Sequence, residues 1–133
     1  MRAALDDFEG GYLFDARRLI EAEVFADFLD QAEELIRAGY KGPAAVVAGC
    51  VLEDALRRLC TAHGIPVPER PGLDRLNGEL AKAGVYSKLV LKRITAIADI
   101  RNNAAHGRWD EFDEDDVTDM IEWIVKFTQE HLG

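Results

Sequence analysis

The sequence predicts an all-α protein, a five-helix up-and-down bundle, on three observations. Apolar residues recur three and four apart along five separate stretches. No stretch alternates apolar and polar residues as a half-buried strand does. Glycine or proline stands at each boundary between the stretches: Gly39, Gly64 with Pro66, Gly84 and Gly107. Helices joined by short links bury their apolar stripes against one another, which makes a bundle. With 133 residues, 48% hydrophobic and 31% charged, the chain builds one core without metal or disulfide staples and is not disordered by composition.

Residues 1–13 carry Gly10-Gly11 and no helical period, so they form an arm, and residues 14–133 form a single domain. The first helix runs from about Asp15 to Ala38, with Leu19, Ala22, Phe25, Ala26, Leu29, Ala32, Leu35 and Ile36 at helical spacing; Gly39 stops it. Lys41-Gly42 is a short link, and Pro43 sits in a first turn, where the missing N–H costs nothing. The second helix reaches about His63, with Ala48, Gly49, Leu52, Leu56, Leu59 and Cys60 as its buried stripe. Gly49 within that stripe implies close approach of another helix. Pro66, Pro68 and Pro71 forbid helix and make a stiff loop. A third helix covers about Leu73 to Ala83, and a fourth runs from about Ser87 to Gly107. Asp113 to Asp116 place acids at the positive end of a fifth, whose stripe is Val117, Met120, Ile121, Ile124, Phe127 and Leu132.

Cys50 and Cys60 lie ten apart in one helix, about 15 Å along its axis. A disulfide needs Cα atoms within about 7 Å, so they do not pair; both are expected as buried thiols of a cytoplasmic protein. No apolar run approaches the roughly 20 residues of a membrane span, and residues 1–10 do not resemble a signal peptide. The net charge of −9 excludes a protein that coats nucleic acid broadly. Its distribution is uneven. Residues 1–40 hold ten acids and four bases, net −6; residues 108–133 hold nine acids and two bases, net −7; residues 41–107 hold six acids and ten bases, net +4.

The basic middle third contains the one segment with chemistry, Arg101-Asn102-Asn103-Ala104-Ala105-His106. On a helical wheel Ile94, Ile97, Ala98, Ala104 and Ala105 surround Arg101. An arginine on a core stripe must be paired or must reach out to water. Glu53, on the shoulder of the second helix's stripe beside Gly49, is the partner the pattern offers; Asp54 points the other way. Asn102 and His106, four apart, share a face with Asp99 and Thr95. Arg101 and His106 sit about 140° apart on an ideal helix. They converge only if the helix frays near residues 103–107 or if a second subunit supplies one of them.

Arg-Asn-x-x-x-His at the end of a late bundle helix resembles the signature of the HEPN superfamily. Leu52-Glu53-Asp54-Ala55-Leu56-Arg57, Arg101 to Gly107 and Phe112 to Val117 also look like small HEPN-type proteins of bacterial defence and toxin systems, and the resemblance covers roughly residues 15–132. It implies a HEPN-type bundle that dimerises, bringing two motifs into one cleft, and metal-independent cleavage of RNA by attack of a ribose 2′-OH on the adjacent phosphorus. In that reaction His106 is an acid or base, because imidazole ordinarily titrates near neutral pH. Arg101 steadies the phosphorane with its planar fork. Asn102 holds the phosphate or orients the histidine, and Glu53 stands behind Arg101. The implied partners are RNA, a second copy of the chain, and an antitoxin or regulatory protein; neither cofactor nor metal is expected. In family toxins silenced by AMP addition a tyrosine follows two residues after the histidine. Here that residue is Arg108, so that form of control is not expected, and Arg108 becomes an RNA contact instead.

Each feature also has a plainer reading. The motif also reads as a plain helix C-terminus, with Arg101 paired to Glu53 and His106 capping the last carbonyls, in a noncatalytic, partner-docking HEPN-like module. Lys88, Lys92 and Arg93 form a solvated basic face or a strip that steers RNA toward the motif. His63 caps a helix end, and His131 lies in a fraying terminus. Trp109 and Trp123 pack the last helix against the bundle or stack bases.

Overall fold

A computed structural model describes residues 23–132. The expected arm over residues 1–13 and the stripe positions Leu19 and Ala22 lie outside the described residues. Among the described residues there are five α-helices, one 3-10 turn and no strand: α1 over 23–37, α2 Lys41–Ala62, α3 Leu73–Lys82, α4 Lys88–Ala105, the 3-10 turn Trp109–Glu111, and α5 Glu114–Leu132. None of these helices is long and apolar enough to cross a membrane.

α2 is the axis of the bundle, packed against α3, α4 and α5, while α3 also packs on α4. A helix covered on several sides must be apolar on several sides. The predicted stripe is buried in full, and so are Ala44, Ala45, Val51 and Ala55, which a one-face wheel does not include. The small residues at 44, 45, 48, 49 and 55 let neighbouring helices come close. α1 adds Phe25, Leu29 and Ala32 to the core, and α5 adds Val117, Met120, Ile121, Ile124 and Phe127.

The ends follow the sequence signals closely. α1, α2, α3 and α4 finish in one device: the N–H after the glycine reaches back five residues, and the glycine N–H reaches back three. Gly39, Gly64, Gly84 and Gly107 take φ values of +66° to +89° there, a region that a Cβ disfavours. α4 starts under Ser87, whose Oγ accepts from Val90 N. α5 starts with a reciprocal cap: Asp116 N–H donates to Asp113 Oδ1 at 2.8 Å, and Asp113 N–H donates to Asp116 Oδ2 at 3.0 Å.

Several expectations need correction. Ala26 and Ala105, counted on the apolar stripes of the first and fourth helices, are exposed. Lys41 and Gly42 are not a link but the first turn of α2, so Pro43 is its third residue, still among the positions whose N–H has no intrahelical partner. Cys50 is exposed, not buried, because its side of α2 faces an open groove toward α1; only Cys60 is in the core. His131 does not belong to a frayed end: its ring stacks on Phe127 with centroids 4.3 Å apart, and Nδ1 lies 3.1 Å from the Phe127 carbonyl oxygen.

One polar knot joins α3 to α4. Buried Asn77 donates through Nδ2 to the Leu91 carbonyl at 3.0 Å and to Thr95 Oγ1 at 3.3 Å; its Oδ1 accepts the Tyr86 hydroxyl at 2.6 Å. Burial, and then the neighbouring Cys60 thiol, push the Tyr86 phenol above its ordinary range. Burial, and then Glu79, push the Cys60 thiol upward too. Both groups therefore stay neutral parts of the core.

Candidate functional site

The motif occupies the last turn of α4 and its cap. Arg101 lies across α2 at Gly49. A Cβ on that glycine would overlap Arg101 Cγ and stand 3.0 Å from Arg101 Cβ. The close approach expected at Gly49 is thus made by the aliphatic stem of the motif's own arginine. The stem carries the guanidinium to Glu53, one helical turn further along α2, where Nη2 stands 3.7 Å from Oε1. Glu53 also stands 4.0 Å from Arg57 Nη2, so two cations share one carboxylate. Arg57 also reaches Asp54 at 3.4 Å, and Asp54 holds Arg58 at 3.1 Å, so the Arg101–Glu53 pair continues through Arg57 into a surface network.

The pair is recessed rather than sealed: the Arg101 side chain is 19% exposed and that of Glu53 25%. Removing one partner of a fully buried pair costs about 3–5 kcal/mol. For a loose, partly wetted pair we expect less, about 1–3 kcal/mol for Glu53→Ala. A denaturant titration against wild type measures it, and an unchanged midpoint would mean that Glu53 does not hold Arg101.

Asn102 is half-buried, and its Oδ1 accepts from Arg101 Nε at 3.2 Å. The amide is thereby turned toward the arginine rather than the histidine, and its NH2 makes no hydrogen bond among the described residues. The guanidinium is held from two sides, by Glu53 at Nη2 and by Asn102 at Nε. Its remaining donors make no other hydrogen bond among the described residues.

His106 is the C-cap of α4 and is exposed; its backbone N–H donates to the Asn102 carbonyl at 3.1 Å. The helix does not fray before it. Gly107 N–H donates to Ala104 O and Arg108 N–H to Asn103 O at 2.8 Å, so the last turn is regular. Arg101 therefore faces α2 while His106 leaves the helix about 140° away, and no hydrogen bond joins them. Of the two routes to convergence, fraying is not taken within the chain.

The residues outside the motif fall into place as follows. Arg108, Lys88, Lys92 and Arg93 are exposed and have no ion-pair partner among the described residues. Lys88, Lys92 and Arg93 lie near the start of α4, the opposite end from the motif. His63 is the C-cap of α2 and is exposed. Trp123 stacks on Phe127 with centroids 5.0 Å apart and is a packing residue of α5.

Sequence reasoning missed the support under the loop after His106. The Trp109 ring lies on Gly42: a Cβ there would overlap Trp109 Cζ3 and stand 2.8 Å from Cε3. Lys41 Nζ donates to the Trp109 carbonyl at 2.8 Å and the Phe112 carbonyl at 2.7 Å, and lies 4.9 Å from the centre of the Phe112 ring. Lys41-Gly42 thus clamps the 3-10 turn to the start of α2. The clamp spans about 70 residues of sequence, and no local pattern announces it.

No protein-family model, curated protein or solved structure matches the chain.

Proposed function

We propose that the chain is a metal-independent endoribonuclease of HEPN type that acts as a homodimer, with Arg101, Asn102 and His106 as its catalytic residues. The observation that carries this reading is the division of labour in the motif. Arg101 is held in place with donors to spare, and Asn102 braces it. His106 is presented to solvent at a rigid helix end. A structural arginine needs no exposed histidine five residues later, whereas phosphoryl chemistry needs both an anion clamp and a proton carrier.

In the reaction the 2′-oxygen attacks phosphorus and the P–O5′ bond breaks. The imidazole takes the 2′-OH proton and, as the imidazolium so formed, protonates the departing 5′-oxygen, and the products are a 2′,3′-cyclic phosphate and a 5′-OH. Arg101 offsets the charge that accumulates on the phosphorane oxygens. The 140° between Arg101 and His106 supports assembly of the site from two chains, the arginine of one meeting the histidine of the other. An isologous contact through the α4 end satisfies this at two places at once. Light scattering at micromolar concentration is then expected to give twice the 14.8 kDa of the chain. A monomer at that concentration would remove the composite site.

The direct test is incubation of the purified protein with mixed RNA in EDTA. We expect cleavage to 2′,3′-cyclic phosphate ends while DNA of the same sequence stays intact. RNA left uncut, even with proteins encoded alongside it added, favours a second reading, a noncatalytic module that docks a partner through the same face. The net charge of −9, with −7 in residues 108–133 beside the motif, is the observation on its side.

A further inference from the structure

Trp109 is 48% exposed although it is among the largest apolar side chains of the protein, and it stands three residues after His106. Its exposure is not looseness. The backbone of Gly42 supports the ring from below, Phe112 meets it edge to face with centroids 6.3 Å apart, and the Lys41 ammonium holds its carbonyl. Tyr40, two residues before Gly42 and 59% exposed, stands at the same end of the bundle and makes no ring contact with Trp109. A fixed aromatic face costs little entropy to use, because ordering it is already done in the free protein.

The surroundings decide what kind of ligand fits. A protein-docking surface is usually a contiguous apolar patch. Here Trp109 stands among exposed polar and charged neighbours, His106, Gly107, Arg108, Asp110 and Glu111. A flat ligand that covers one ring and keeps its own edges in water suits a single aromatic in such company. From residue 108 to 116 Arg108 is the only base, against six acids; Asp110 and Glu111 follow the ring within its own turn and the other four stand at the start of α5, so a polyanion meets the ring from the Arg108 side.

We propose that Trp109 is a nucleobase-stacking platform that seats one base of single-stranded RNA beside the phosphate offered to the motif, with Tyr40 as the neighbouring ring. This rests on the ribonuclease reading for its ligand, but its test does not depend on cleavage. Because stacking on the ring adds to the attraction for phosphate, the binding is base-dependent at any one salt concentration.

The experiment uses Trp123→Phe protein, in which Trp109 is the only indole, and a hexamer of 2′-O-methyl adenylate that cannot be cleaved. Saturable quenching of Trp109 fluorescence is expected with the hexamer, and none with an abasic hexamer of equal charge. In protein that keeps Trp123, Trp109→Leu is expected to weaken hexamer binding, followed by anisotropy of a labelled strand, about 5- to 150-fold, the range one stack carries. Trp109→Phe should recover part of the loss. Melting curves guard against a folding defect, and if Trp109→Leu melts early the Trp109→Phe comparison decides. Equal quenching by the abasic strand overturns the proposal. So does hexamer affinity unchanged in both variants. Base-dependent binding without cleavage of ordinary RNA leaves the platform standing and removes only the catalytic reading.

Discussion

His106→Ala protein is expected to cleave single-stranded RNA about 10²–10⁴-fold more slowly than wild type, with a melting curve that overlays it. The two halves of this expectation have separate causes. The rate falls because the reaction loses the one motif side chain able to carry a proton. The fold persists because the imidazole is exposed and makes no hydrogen bond among the described residues. What ends α4 at that position is the backbone: the His106 N–H to Asn102 O, the left-handed Gly107, and the Arg108 N–H to Asn103 O. Alanine preserves all three. Arg101→Ala is a poorer test, since it leaves Glu53 and the space over Gly49 unfilled and can imitate a catalytic defect by unfolding. Arg101→Lys keeps the charge and the stem while losing the planar fork. Mixing His106→Ala protein with Arg101→Lys protein then tests where the site is built. If arginine and histidine meet across a dimer, the mixed dimer contains one intact pair and activity returns in part. Cleavage by His106→Ala protein at the wild-type rate would take the histidine out of the reaction.

Much of the architecture can be read from the sequence because its determinants are local. Each of the glycines at 39, 64, 84 and 107 ends a helix through bonds that span five residues or fewer. Asp113 and Asp116 cap α5 from within one turn. The Arg101–Glu53–Gly49 relation is longer in range, yet it too is legible. A charge on one apolar stripe and a gap on another are both anomalies, and each is resolved by the other. The clamp of Lys41 and Gly42 on Trp109 leaves no such mark. A lysine beside a glycine before a proline looks like a turn, and a tryptophan looks like core; only the bundle's closure brings them together. Cys50 shows the complementary failure. Its apolar neighbours Val46, Val47 and Val51 suggest burial, but they line a groove of about 440 Å³ between α1 and α2. A helical wheel gives the direction of a side chain and not whether a neighbour reaches it.

Gly49→Ala separates a tolerated small residue from one the site requires. In the interior of a helix alanine is ordinarily better than glycine by about 0.5–1 kcal/mol, because it restricts the unfolded chain. With free space at Gly49 the variant would melt higher than wild type. The new methyl instead overlaps Arg101 Cγ, near the root of the side chain, where a change in the outer torsions gives no relief. Arg101 has to leave its rotamer, giving up Glu53 and Asn102 together, or α4 has to move off α2. Overpacking of this kind costs about 1–3 kcal/mol. Against the propensity gain we expect a net loss of about 1–2 kcal/mol, with a lower melting temperature and cleavage reduced as the arginine is displaced. The sign is expected to reverse once Arg101 is shortened. In an Arg101→Ala background the obstruction is gone, and Gly49→Ala should stabilise by its helix propensity alone. The four proteins form a double-mutant cycle whose coupling energy, about 1–3 kcal/mol, measures the contact between glycine and arginine. Additive effects in that cycle, or a wild-type background in which Gly49→Ala melts higher, would mean that the stem of Arg101 does not rest on α2.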